Sequence, residues 1–242
     1  MNITIAKNEA GFDCCAAWRI IAEILANPKA VIGLSTGRTT ANMHAIVGSI
    51  YRQYPFNVSH VTLFGVDEVL NVPRQYRGAC YTMLKTQLID HLGLPEHQFL
   101  MPPTVSDNPE EACRLFQQAI EARGGVDLQI LGLGENGHIG FNQPGTPFES
   151  ETWVSKMDAA LEARLRKEAR TPPGIKLGGL TLGLRTIMRS RKIVIAAKGA
   201  AKAEMVRQML RGPVTTAVPA SILQLHPHCE CLLDADAAKN IL

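Results

Sequence analysis

The chain has 242 residues, 46% apolar and 19% charged, with a formal net charge of +3. That composition excludes a disordered chain and supplies ample material for a buried core, and the charge is too small to argue for a nucleic-acid partner. No run of about 18 apolar residues reads as a membrane span, and the six cysteines, with no CxxC pair or zinc-like Cys/His spacing, read as reduced thiols.

The opening residues, MNITIAKNEAGFD, lack the apolar core of a secretion signal, so a cytoplasmic protein is expected. Residues 2–5 read as a short edge strand. Ala, Trp, Ile and Leu at helical spacing over 9–26 predict a first helix that stops near Asn27-Pro28. Ala30 to Leu34 reads as a second strand. It runs into Ser35-Thr36-Gly37-Arg38-Thr39-Thr40 and then a helical pattern to about Tyr54. A strand, a Ser/Thr/Gly turn and a helix N-terminus form an anion cradle, in which the turn offers hydroxyls and the first helical turn offers amides. The spacing is not that of a P-loop. Capping of the helix by Ser or Thr is the alternative use of the same residues.

Val61 to Val66 predicts a third strand that ends at Asp67-Glu68. A carboxylate at a strand end is well placed to abstract a proton. Neighbours in extended chain point to opposite sides, so only one of the two faces a site; capping of the next turn is the other use of Asp67. Residues 77–91 and 108–122 read as amphipathic helices, with Cys80 and Cys113 as packing residues on their faces. Leu128 to Leu133 is an apolar run that breaks into Gly132, Gly134, Gly137 and Gly140 around His138. This is a buried strand feeding a loop, where ligands sit in open α/β sheets. His138 is there either a proton carrier or a polar loop residue.

Trp153 to Met157 suggests a short strand, and residues 158–170 a charged helical segment followed by Thr171-Pro172-Pro173-Gly174. The stretch from about 155 to 175 is the candidate lid, whose arginines either reach an anionic substrate or form a solvated face. Ile175 to Leu184 carries three glycines and ends in a turn. Ile193 to Ala197 is a further strand. It leads to Lys198, Lys202 and a helix to about Leu210. A lysine near a helix N-terminus opposes the macrodipole unless an anion is present, so Lys202 is either a phosphate ligand or a surface lysine. Val218 to Ser221 opens a last short helix, and Cys231 to Leu233 suggests a final strand. With no repeat, low-complexity segment or linker, residues 1–242 are expected to form one domain. Strands alternating with helices predict an α/β fold: an open, mostly parallel sheet, Rossmann-like, with helices on both faces. An anion cradle, a carboxylate and a histidine meeting at one crevice suit proton transfer on a sugar phosphate.

The motifs LSTGRTT (34–40), FGVDEVLNVP (64–73), LGLGENGHIGFNQPG (131–145), TLGLRTIM (181–188), KGAAKAE (198–204) and VPASILQLHP (218–227) span most of the chain. In these the sequence resembles the glucosamine-6-phosphate deaminase (isomerase) family, a branch of the superfamily that also holds 6-phosphogluconolactonase. The resemblance implies isomerisation of an amino-sugar 6-phosphate, of the gluco or galacto series, with loss of ammonia and without metal or cofactor. It places the enolising base on Asp67, the ring-opening histidine on His138 and the phosphate loop on Ser35, Thr36, Gly37, Arg38 and Thr39. Lys202 becomes a phosphate ligand, and a lid arginine that touches phosphate falls on Arg164 or Arg166. Family members include monomers and oligomers, so a homo-oligomer is one expectation.

Three departures stand out. The phosphate turn has Gly37-Arg38 where the family commonly has two glycines, Asn136 stands where some members have Asp, and Gln143 replaces the glutamate that partners the ring-opening histidine. An amide orients His138 but does not stabilise an imidazolium by charge, a loss on the order of one to a few kcal/mol at the transition state. Asn136 and Gln143 therefore join the catalytic set. The alternatives are an isomerase, lactonase or deglycase acting on another sugar phosphate, or a sugar-phosphate sensor without turnover.

Overall fold

The computed structural model describes residues 1–157, 159, 162–163, 166, 174–175 and 177–242. Its main sheet contains β1 (Asn2–Ala6), β2 (Val31–Leu34), β3 (Thr62–Gly65), β5 (Phe99–Leu100), β6 (Leu128–Gly132), β9 (Lys192–Ala197) and β10 (Cys229–Asp234). They lie in the order β1-β10-β9-β6-β2-β3-β5, every neighbouring pair parallel. A smaller antiparallel sheet, β4-β8-β7, joins β4 (Asp67–Leu70), β7 (Trp153–Ser155) and β8 (Gly178–Thr181).

Period-two alternation divides the main strands between two cores. On β9, Ile193, Ile195 and Ala197 enter one core, and Val194 and Ala196 enter the other. The helices Pro109–Glu121 and Ala203–Arg211 cover the first through Phe116, Ile120, Val206 and Met209. Two further helices, α1 (Glu9–Ala26) and α2 (Ala41–Gln53), cover the second. In α1, Phe12, Ala16, Ile20 and Ile24 recur at helical spacing on the buried face, and Asn8 caps the start by accepting from the Gly11 amide. This is the predicted α/β architecture. The segment Lys85–Ile89 corrects one detail, because it winds as a π-helical turn between α3 (Cys80–Leu84) and a last turn, Asp90–Leu92. That wider turn sets Gln87 beside the buried His44 of α2, at 3.3 Å.

A second difference places the site. Asp67-Glu68 do not end the third strand; they begin β4 in the small sheet. Val66 is the transfer point. Its amide still donates to Leu34 O in the parallel sheet (3.1 Å), while its carbonyl accepts from Leu182 N beside β8 (2.9 Å). Nothing in strand patterning distinguishes one long strand from two short ones that change sheets at a single residue. The small sheet packs its own cluster of Val69, Val72, Phe141 and Leu177 against the loop that carries His138.

Phe64 of β3 is fully buried and meets Phe116 edge-on, with ring centroids 6.2 Å apart. Phe64→Ala is expected to destabilise the fold by about 3–5 kcal/mol, read as a lower denaturant midpoint with an unchanged slope.

Candidate active site

Strands β2 and β6 are hydrogen-bonded neighbours, yet the next main-sheet strand after β2, β3, lies on one side of the pair and the next after β6, β9, lies on the other. Their outgoing loops must diverge, and a crevice opens between them at the carboxyl edge. It has a volume of about 600 Å3, with Thr36 to Thr39 after β2, Glu135 and His138 after β6, and Lys202 after β9 on its walls.

The turn after β2 is the candidate anion cradle. Gly37 sits at φ +117°, a left-handed conformation open to glycine, with Arg38 exposed on the rim. Thr40 is the residue at the start of α2, but its hydroxyl donates back to Ser35 O (2.9 Å) and makes no capping bond. The capping alternative is therefore not how this turn uses Thr40, and the α2 amides receive no side-chain oxygen from it. Ser35 Oγ is buried without a partner among the described residues. Two lysines follow β9, and the fold separates their roles. Lys198 Nζ is held by Glu9 (2.8 Å) and Asp13 (2.9 Å), whereas Lys202 Nζ faces the crevice 4.0 Å from Glu135.

His138 is oriented through a chain of amides. Its backbone N–H donates to Asn136 Oδ1 (3.2 Å), which fixes that atom as the acceptor. The same oxygen lies 2.6 Å from His138 Nδ1, so Nδ1 carries a proton, and whenever the ring is neutral Nε2 holds the lone pair. Asn136 Nδ2 must then donate, and it does so to Gln143 Oε1 (2.9 Å). The other end of that side chain, Gln143 Nε2, is buried with no partner among the described residues. The ring packs so closely on Gly134 that a Cβ there would lie 2.4 Å from Nδ1.

Asp67 and Glu68 point opposite ways, as extended chain requires. Glu68 is fully buried and accepts amides from Val69, Cys80 and Tyr81, each at 2.8 Å. It thus caps α3, which starts at Cys80 rather than at residue 77. Burial pushes Glu68 up to about 7 against the pull of those three amides. Asp67 lies behind the crevice wall, at 7% exposure, and burial pushes its carboxyl up to about 7 as well. Its side chain meets a residue that the helix-face pattern assigns to packing: Cys80 Sγ donates to Asp67 Oδ1 at 3.7 Å and accepts from Thr36 Oγ1 at 3.1 Å. Cys113, in contrast, does sit in the apolar core. Of the two lid arginines, Arg164 lies outside the described residues. Arg166 bonds Glu162 (2.6 Å) and the Ile175 carbonyl, both in its own segment.

The sequence profile of the family described as glucosamine-6-phosphate isomerases/6-phosphogluconolactonase matches residues 16–232. The glucosamine-6-phosphate deaminase of Shouchella clausii (strain KSM-K16) is 34% identical over 239 residues, covering 99% of this chain and 97% of its own. The chain belongs to this family. A second member, the glucosamine-6-phosphate deaminase of Clostridium perfringens (strain 13 / Type A), is 33% identical over 240 residues and covers 99% of both chains. Among solved structures, a monomeric glucosamine-6-phosphate deaminase superposes with a TM-score of 0.93 at 29% identity, covering 99% of this chain and 100% of its own. The 6-phosphogluconolactonase from Trypanosoma cruzi shares the fold at a TM-score of 0.81 and 20% identity, covering 99% of this chain and 96% of its own.

Within the family, Glu68 is the residue whose loss the geometry penalises most plainly. Glu68→Gln turns one oxygen into a donor that faces a donating backbone amide. We expect about 1–3 kcal/mol of destabilisation by chemical denaturation, with exchange of the Cys80 and Tyr81 amides accelerated.

Proposed function

We propose that the protein isomerises and deaminates an amino-sugar 6-phosphate, glucosamine 6-phosphate or its galacto epimer, to a ketose 6-phosphate and ammonia. The observation that carries this reading is the meeting of the uncapped phosphate turn, Lys202 and the oriented His138 at one crevice, with Asp67 directly behind it. Full-length relatives named as deaminases support it.

The dianionic phosphate binds the amides and hydroxyls of residues 35–39, with Lys202 as counter-charge. His138 Nε2 takes the proton of the C1 hydroxyl and returns it to the ring oxygen, which opens the pyranose. The C2 hydrogen is now alpha to a carbonyl. Asp67 removes it and delivers it to C1, while a proton of the C2 amine passes to O1, leaving an imine at C2. Water adds at C2 and ammonia departs, so the overall balance is hydrolytic although the central step is an isomerisation. The chemistry calls for no metal and no redox cofactor. The candidate lid from about 155 to 175 lies largely outside the described residues; in this reading its Arg164 or Arg166 contacts the phosphate, in a single cytoplasmic domain.

Ammonia and ketose-phosphate release from glucosamine 6-phosphate and galactosamine 6-phosphate tests this directly. Release from one epimer is the expected result; thermal stabilisation by both with product from neither would leave a sensor. Asp67→Asn should abolish C2–H exchange with solvent, and exchange that survives would remove Asp67 from the mechanism. The raised carboxyl of Asp67 also fixes the sign of the pH response. The base works only when ionised, so kcat should fall as pH drops through about 7 and hold above it.

A further inference from the structure

Cys80 differs from the buried cysteines around it. Cys113, Cys229 and Cys231 sit in an apolar core cluster, while the sulfur of Cys80 lies between the Thr36 hydroxyl and the Asp67 carboxylate. The thiol is placed from three directions. Its backbone amide is held by Glu68 Oε1 at 2.8 Å. Its lone pair is taken by Thr36 at 3.1 Å, which directs the S–H away from the phosphate turn. The S–H then has Asp67 Oδ1 at 3.7 Å. Burial, followed by the charges of Glu68 and Asp67, holds the thiol well above its usual range, so the sulfur keeps its proton and acts as a donor and not as a nucleophile.

We propose that Cys80 is the positioning residue of the base: Thr36 orients its thiol, and the thiol holds the Asp67 carboxylate in the rotamer that meets the substrate carbon. This rests on Asp67 being the base. A buried carboxylate with no donor has two equivalent faces and a disfavoured negative charge. One S–H bond breaks that equivalence and favours the ionised form. The bond is weak by the standard of an O–H or N–H donor. Weakness suits a group whose carboxylate partner must pick up and release a proton in every turnover. The arrangement also connects the two ends of the reaction, since the phosphate turn and the proton-abstracting carboxylate share one buried thiol.

The test compares Cys80→Ala, which removes the donor, with Cys80→Ser, which keeps a donor and an acceptor in similar volume. The readouts are the pH profile of kcat, C2–H exchange with solvent, KM for the amino-sugar phosphate and the thermal midpoint. Asp67→Asn is carried in parallel. In Cys80→Ala the acid limb of kcat should move to higher pH by about half to one unit. Turnover below the limb then drops about three- to ten-fold, with KM within about two-fold. Cys80→Ser should return both the limb and the exchange rate toward the wild type. A Cys80→Ala protein that melts like wild type and keeps the wild-type limb would overturn the proposal. So would a loss in Cys80→Ala that Cys80→Ser, though folded, does not reverse. Exchange that survives in Asp67→Asn would overturn the base assignment itself, and the role of Cys80 with it. If Cys80→Ala does not fold, the serine variant decides alone: an oxygen donor binds a carboxylate more strongly, so its limb should lie at or below the wild-type position, and a limb moved upward would overturn the proposal.

Discussion

Everything at the carboxyl edge depends on β2 and β6 lying side by side while their chains leave in opposite directions. Parallel strands need crossovers, and a crossover on each side leaves the pair uncovered at one end. The phosphate turn and the histidine loop are simply the two chains leaving that end. Val66 adds the third component. By bonding Leu34 on one side and Leu182 on the other, it carries the chain from the parallel sheet into β4 and sets Asp67 behind the same edge. The hydrophobic effect builds the two cores, but the topology decides that three polar segments distant in sequence come to one place.

Directionality inside the site comes from backbone amides. The amide of His138 fixes one oxygen of Asn136, and every donor and acceptor from the imidazole to Gln143 follows from it. On the other side, Glu68 catches three amides and fixes where α3 begins, hence where the Cys80 thiol lies. Glu68 puts a costly buried carboxylate where the backbone itself satisfies it.

The elements with strong periodicity were legible: the helix from 9 to 26, the strand before Ser35, and the apolar run into the glycines all stand where spacing placed them. The phosphate turn, Lys202 and His138 were legible as a set because each follows a strand end, and the crevice joins them. Three things were not. The sheet change at Val66 needs only one residue and leaves no compositional mark. The π-helical turn at Lys85–Ile89 has the same amphipathic spacing as an ordinary helix over so few residues. Cys80 reads as packing because a helix-face cysteine usually is; its polar surroundings come from Thr36 and Asp67, which are 44 and 13 residues away in the chain. Lys198 and Lys202 look alike in sequence, and only the carboxylates of α1 separate them.

The two sides of the crevice handle charge in opposite ways, and this gives Gln143 a rationale. A carboxylate at 143 would favour the imidazolium form of His138 through Asn136, because opposite charges stabilise each other in a buried site. It would also bury a further negative charge, which a low-dielectric interior disfavours. The substrate phosphate brings two further negative charges. In the proposed mechanism Lys202 and the α2 amides offset these at the turn. With amides at both 136 and 143, the side chains that orient His138 carry no negative charge. In the proposed mechanism this gives up imidazolium stabilisation in favour of the neutral ring that takes the C1 proton. Gln143 Nε2, buried with no partner among the described residues, is the structural cost of the amide.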